Sequence, residues 1–158
     1  MGPFGPGGVP MDRGEAIARL RSARVGRLAT VTADARPHVV PFVFALVERD
    51  RDVLAYWAVD RKPKSSERLQ RLRNLERNPA AEFVVDGYDE DWRALWWVRA
   101  SGTGRVVDDA TPEHAAALDA LASKYQPYAS EPPPGPVVAI DIDRISGWRA
   151  EPGLGDPP

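Results

Sequence analysis

The sequence predicts a mainly β domain, with an antiparallel sheet closed into a small barrel and helices confined to its periphery. Three observations point there. Short β-branched and aromatic runs separated by turn signals recur along the chain. Hairpin connections dominate the first half, which favours an antiparallel barrel over a doubly wound sheet. About six segments read as strands and about three keep helical spacing. With 158 residues, the chain has the size of one domain that can bury a real core.

Residues 1–10 hold Pro3, Pro6 and Pro10 among four glycines, so they are expected to stay loose, with the domain itself running over residues 11–150. From Met11 to Ser22, Ile17 and Leu20 recur at helical spacing. Val25–Val31 is strand-like. Thr32 to Pro37 supplies turn chemistry before a second strand, His38–Val47, making a hairpin. Both faces of that second strand are apolar, so it is expected to be covered on both sides. Pro41 in its middle removes a ladder donor and marks an edge, a bulge or a place where something else meets the backbone.

A third strand, Val53–Val59, leads into the cationic turn Asp60-Arg61-Lys62-Pro63-Lys64 and a helix to Arg77. Leu69, Leu72 and Leu75 form its buried stripe, and the residue before Pro79 ends it. Residues 60–77 carry seven basic side chains against three acidic ones. Ala81–Asp86 and Leu95–Val107 read as strands, with Gly102 and Gly104 marking a bend or bulge in the longer one. Thr111-Pro112-Glu113 starts a helix that continues to about Tyr125. Gln126–Pro136, with five prolines, reads as an extended connector. Val138, Ile140 and Ile142 alternate in a last strand, and residues 151–158 read as a loose tail.

Composition excludes several function classes. The net charge of -2 argues against a nucleic-acid partner, since such domains usually carry a basic excess. The absence of cysteine removes disulfides, thiolate metal sites and thiol catalysis. With only His38 and His114 as imidazoles, no metal site is expected, and no apolar run approaches the ~20 residues of a spanning helix. A cytoplasmic protein without membrane contact is the expectation.

The chemistry-bearing stretch is Asp60 to Arg99, where local cations precede the ribbon Asp91-Trp92-Arg93-Ala94-Leu95-Trp96-Trp97-Val98-Arg99. Lys62, Lys64, Ser65 and Ser66 stand at a helix N-terminus, in outline a phosphate cradle, although an exposed cationic helix is also simply well solvated. Trp96 and Trp97 point to opposite faces of a strand, so core, subunit contact and ligand roles are all open to them. No nucleophile elbow, Walker loop or dinucleotide-binding glycine pattern occurs. A catalytic residue is therefore not assigned, and any redox chemistry would come from a bound cofactor.

Four pieces together resemble a known family: Ser22–Val31, Arg36–Phe44, Arg71–Pro79 and Asp91–Arg99. Their order and spacing are similar to the split β-barrel flavin and deazaflavin proteins related to pyridoxamine phosphate oxidase. More closely, they resemble the actinobacterial coenzyme F-420-dependent oxidoreductases of that superfamily. The likeness spans roughly Met11 to Trp148.

This resemblance implies a six-stranded antiparallel split β-barrel of the FMN-binding type, assembled as a homodimer with cofactor sites at the interface. It implies that Lys62, Lys64, Arg68 and Arg71 hold the cofactor phosphate, and that the ring lies along Val40-Pro41-Phe42 and Ala58-Val59. Trp96, Trp97 and Trp148 become candidates to complete the partner's pocket. The implied activity is hydride transfer from reduced F-420 to an organic acceptor. The alternatives are a non-catalytic F-420 binding or storage protein, and an FMN- or haem-binding relative.

Two positions depart from the family pattern. Arg71 stands where the wider family's K-x-R-x-L-x-x-N-P run begins with lysine, which keeps the charge but changes its geometry. Ala35 replaces the usual hairpin glycine, which suggests a different turn conformation.

Overall fold

A computed structural model describes residues 8–59 and 66–151. Lys62 and Lys64 fall outside the described residues, and so does the side chain of Arg68. The strands are β1 (Gly8–Pro10), β2 (Gly26–Val31), β3 (Pro37–Phe42), β4 (Ala45–Arg49), β5 (Asp52–Ala58), β6 (Ala80–Gly87), β7 (Trp96–Val107) and β8 (Val137–Ala150). The helices are α1 (Arg13–Ser22), α2 (Ser66–Arg77), α3 (Pro112–Lys124) and α4 (Gln126–Ser130). The strands form one antiparallel sheet in the order β3-β2-β6-β7-β8-β5-β4, with β1 added against β8.

The split of the barrel follows from that order. β3 and β4 stand at opposite ends of the sheet yet are joined by Val43 and Phe44 alone. Two residues span less than ~11 Å between the flanking strands, so the sheet must curl until its ends meet. The seam is fastened by Tyr125: its hydroxyl accepts from Phe44 N–H at 3.1 Å and lies 2.9 and 3.0 Å from the carbonyls of Phe44 and Arg24. Burial keeps this phenol protonated by raising its pKa.

The barrel interior packs Leu28, Phe42, Phe44, Ala55, Trp57, Phe83, Val98 and Ile140 around one core. Phe42, Phe44 and Phe83 meet with ring centroids 5.0 to 5.3 Å apart. The opposite face of β5 and β8 is covered by α3, through Leu54, Tyr56, Val107, Ala117, Val137 and Ala139. The Tyr56 hydroxyl donates to Glu113 at 2.9 Å, while Arg105 pairs with both Glu113 and Asp141 at 2.8 Å. Burial, together with this carboxylate, pushes the Tyr56 pKa up to about 12. The network docks the start of α3.

Sequence signals set the helix ends. The Asp12 carboxylate caps α1 at Glu15 N–H, 2.8 Å away, and Thr111 caps α3 ahead of Pro112. At the far end of α2, the buried Asn74 amide donates to Thr30 Oγ1 at 2.9 Å, tying the helix to β2. Leu75 is buried and Leu72 packs on the core, as the leucine spacing predicts, while the side chain of Leu69 lies outside the described residues.

Several expectations change. The expected strand His38–Val47 is two strands, because the chain must cross the seam at Val43-Phe44. One of its faces is open, with Val39 59% exposed. Pro41 sits on the edge strand, one of the places its missing N–H allows. Gly8–Pro10, read as loose, pair with Trp148 to Ala150, where the absence of a side chain at Gly8 lets the Trp148 ring lie against the backbone. The expected extended connector begins with the short helix α4. In the long β7–β8 ladder the register shifts at Ser101/Gly102, the bulge that the glycines signal. Ala35 does not avoid the glycine-like turn: its φ is 61°, in the left-handed region.

Candidate cofactor cleft

The seam opens into a cleft of about 270 Å³, lined by Val25, Pro41, Phe42, Val43, Trp57, Ala58, Arg71 and Tyr128. Each element contributes for a reason already visible in the topology. β3 ends here with Pro41 and Phe42, the crossover supplies Val43, and β5 ends here with Trp57 and Ala58. Arg71 comes from α2, and Tyr128 from α4.

Most of the lining residues are apolar or aromatic. Pro41 presents ring carbon and no N–H, and Phe42 is locked from behind by its stack on Phe44 at 5.0 Å and 17°. Few of the lining side chains are polar. The Arg71 guanidinium carbon lies 5.0 Å from the Trp57 ring centroid, a cation-on-aromatic arrangement that favours a partly dehydrated charge. Trp57 is 1% exposed, and its indole Nε1 has no acceptor among the described residues. A buried donor without an acceptor costs roughly 1–3 kcal/mol, and because this nitrogen is enclosed, a ligand acceptor would recover that cost only by opening the wall around it. The cleft therefore suits a planar molecule with a hydrogen-bond acceptor on its ring and an anionic group near Arg71. Among the described residues, no three metal-ligating side chains converge.

Of the residues singled out from sequence, Pro41, Phe42, Ala58 and Arg71 come together in this cleft. Val40 and Val59 flank it and pack on the barrel core. Arg68 lies on α2 one turn before Arg71.

Trp96, Trp97 and Trp148 do not reach the cleft within one chain. Trp57 pairs with Val138 at one end of β8, whereas Trp97 pairs with Trp148 near the other. Strand extension at ~3.3 Å per residue holds those two positions far apart. Their contacts are local: Arg19 lies 4.5 Å from the Trp96 ring, and Arg99 lies 5.9 Å from that of Trp97.

Sequence reasoning missed Val25, Val43, Trp57 and Tyr128. Trp57 carries a usable signal, since it shares a strand face with Val59, which was singled out. Tyr128 was hidden by the reading of its segment as extended.

A split antiparallel barrel of this strand order is the architecture of the flavin-binding split-barrel class. The chain belongs to the pyridoxamine 5'-phosphate oxidase family, whose model matches residues 13–149. No curated protein matches the sequence. Among solved structures, an FAD-binding protein from Mesorhizobium loti is similar, at 23% identity and a TM-score of 0.68 over 92% of this chain and 98% of that one. A conserved hypothetical protein from Mycobacterium tuberculosis is similar at 21% identity and 0.69, over 98% and 96%. A haem-binding protein from Mycobacterium smegmatis is similar at 20% and 0.65, over 88% of this chain and 54% of that one. At these identities the likeness is one of fold.

Proposed function

We propose that the protein is an oxidoreductase that binds the deazaflavin coenzyme F-420 in the seam cleft and serves hydride transfer to an organic acceptor. The observation that carries this reading is the union of Pro41, Phe42, Trp57, Ala58 and Arg71 around one cleft, with the cationic run of residues 60–77 following Ala58 in the sequence. When bound and reduced, the deazaflavin supplies the hydride. The chain's own residues bind, orient and exclude water. Pro41, Phe42 and Ala58 give the ring its flat walls, and Trp57 Nε1–H donates to an acceptor atom on it. Arg71, with Lys62, Lys64 and Arg68, holds the phosphodiester and acidic tail, for which several cations suit better than one. A homodimer completes the site in this reading. It covers the exposed Val25 and Val39 and offers Trp96, Trp97 and Trp148 as a partner surface.

A flavin such as FMN or FAD is the nearest alternative, favoured by the FAD-binding protein of the same fold. Haem is the other, favoured by the haem-binding one. It needs an axial donor, and the lining side chain of that kind among the described residues is Tyr128.

The test is a fluorescence titration of the purified protein with F-420, FMN, FAD and haemin in parallel, followed by oxidation of reduced F-420 with a panel of acceptors. Tightest binding of F-420 and acceptor-dependent oxidation are expected. Preference for FMN, FAD or haemin would overturn the cofactor assignment. Tight F-420 binding without oxidation by any acceptor would favour the storage reading.

A further inference from the structure

On the far side of the Tyr125–Phe44 fastening lies a second groove, of about 440 Å³. It is lined by Arg21, Arg24, Ala45, Leu46, Ala120, Ser123 and Lys124. It shares no residue with the cofactor cleft. Lys124 Nζ is buried without a hydrogen-bond partner. It rests 4.3 Å from the Phe44 ring and 5.5 Å from that of Tyr125. The Arg24 guanidinium also lies against Tyr125, at 4.8 Å, and donates to the Lys124 carbonyl at 2.8 Å. Two cations thus share one aromatic ring.

The charges around them are unbalanced. Glu48 is occupied by Arg21, and no carboxylate among the described residues pairs with Arg24 or Lys124. Desolvation, with the Arg24 charge behind it, lowers the Lys124 pKa to about 8. Ring faces offer a cation some electrostatic compensation but accept no ordinary hydrogen bond. What this groove lacks is an anion.

We infer that the groove between the end of α1, the start of β4 and the end of α3 is a binding site for a small oxyanion, phosphoryl or carboxylate, held by Arg24 and Lys124. Ala45, Leu46 and Ala120 give room and apolar wall for the body of the molecule that carries it. The site is independent of the cofactor reading. It is nonetheless joined to the cleft, because Phe44 touches Lys124 and also stacks on Phe42, which lines the cleft.

Lys62, Lys64 and Lys124 are the only lysines, so amine labelling reads the site directly. The full chain is trace-labelled with acetic anhydride near pH 8, and each lysine is followed by mass spectrometry. Inorganic phosphate and malonate are each compared with chloride at equal ionic strength. An anion within a few ångströms raises an amine pKa by about one unit or more, so labelling of Lys124 near pH 8 is expected to fall at least about fivefold. The stronger protector identifies the ligand as phosphoryl or carboxylate. Arg24→Gln should abolish the protection.

Equal labelling of wild-type Lys124 in phosphate, malonate and chloride would overturn the inference, and so would full protection surviving in Arg24→Gln. The wild-type comparison decides even if the variant does not fold. Protection of Lys62 or Lys64 reports on the cofactor cradle and leaves this result untouched.

Discussion

Trp57 and Trp96 are dressed alike and placed differently. Each lies beneath an arginine, Arg71 at 5.0 Å and Arg19 at 4.5 Å. What separates them is the rest of their surroundings. Trp96 lies on the backbone of Gly87, so close that a Cβ there would sit 2.1 Å from its Nε1. Trp57 borders an open cleft, and its Nε1 has no acceptor. A cation over an indole is therefore not by itself a ligand signal. An indole that meets backbone braces a sheet, whereas one in a cleft wall with an unsatisfied donor is a candidate for a ligand contact.

The largest effect expected from this contrast is on binding. Replacing Lys64 and Arg71 together with alanine removes two charge-assisted contacts of about 1.5–3 kcal/mol each, so F-420 affinity should fall at least about a hundredfold. Isothermal titration checks the affinity and circular dichroism the fold. Unchanged affinity in a folded double variant would sink the cradle at this end of the molecule.

The next effect belongs to the other tryptophan. Trp96→Ala deletes a half-buried ring and its contact with Arg19, and should cost about 2 kcal/mol of stability in urea titration. Cofactor affinity measured on the folded variant should hold if the ribbon only braces the sheet. A joint loss of stability and affinity would move Trp96 into the partner's pocket.

A finer test uses Trp57→Phe, which keeps an aromatic wall and removes the N–H. One hydrogen bond of about 1 kcal/mol predicts a roughly fivefold loss of F-420 affinity. No loss at all would show that the indole donor finds no acceptor on the ligand.

Much of this arrangement is legible in the chain. Alternation of Ile140 and Ile142 with Asp141 and Asp143 marks β8, the continuous apolar run from Val53 to Ala58 marks β5, Thr111-Pro112 marks the start of α3, and Asn78-Pro79 the end of α2. The seam is not legible in the same way. Its cause is long-range: Tyr125 reaches the backbone of Phe44 and Arg24 across the fold, and nothing local in Val43-Phe44 announces a crossover. The same holds within the cleft. Pro41 and Arg71 stand out as residue types, but Tyr128 does not, because α4 lies in a proline-rich segment whose composition reads as extended.

The smallest effect lies at the first hairpin, where residue type and backbone disagree. Ala35 holds a φ of 61° because the turn around it is fully committed. Thr32 N–H donates to the Arg36 carbonyl at 2.9 Å, Ala35 N–H donates to the Thr32 carbonyl at 3.0 Å, and Arg36 N–H donates to Thr32 Oγ1 at 3.0 Å. Left-handed alanine costs about 1–2 kcal/mol. Glycine relieves that but loses about 0.5–1 kcal/mol of backbone entropy on folding. The difference predicts that Ala35→Gly stabilises the protein by about 0.5–1 kcal/mol, or roughly 1–4 °C in Tm for a domain of this size. Calorimetry of the variant reads this directly. A lower Tm would mean that the turn relaxes around alanine at no cost, and that the strain inferred from its φ is not there.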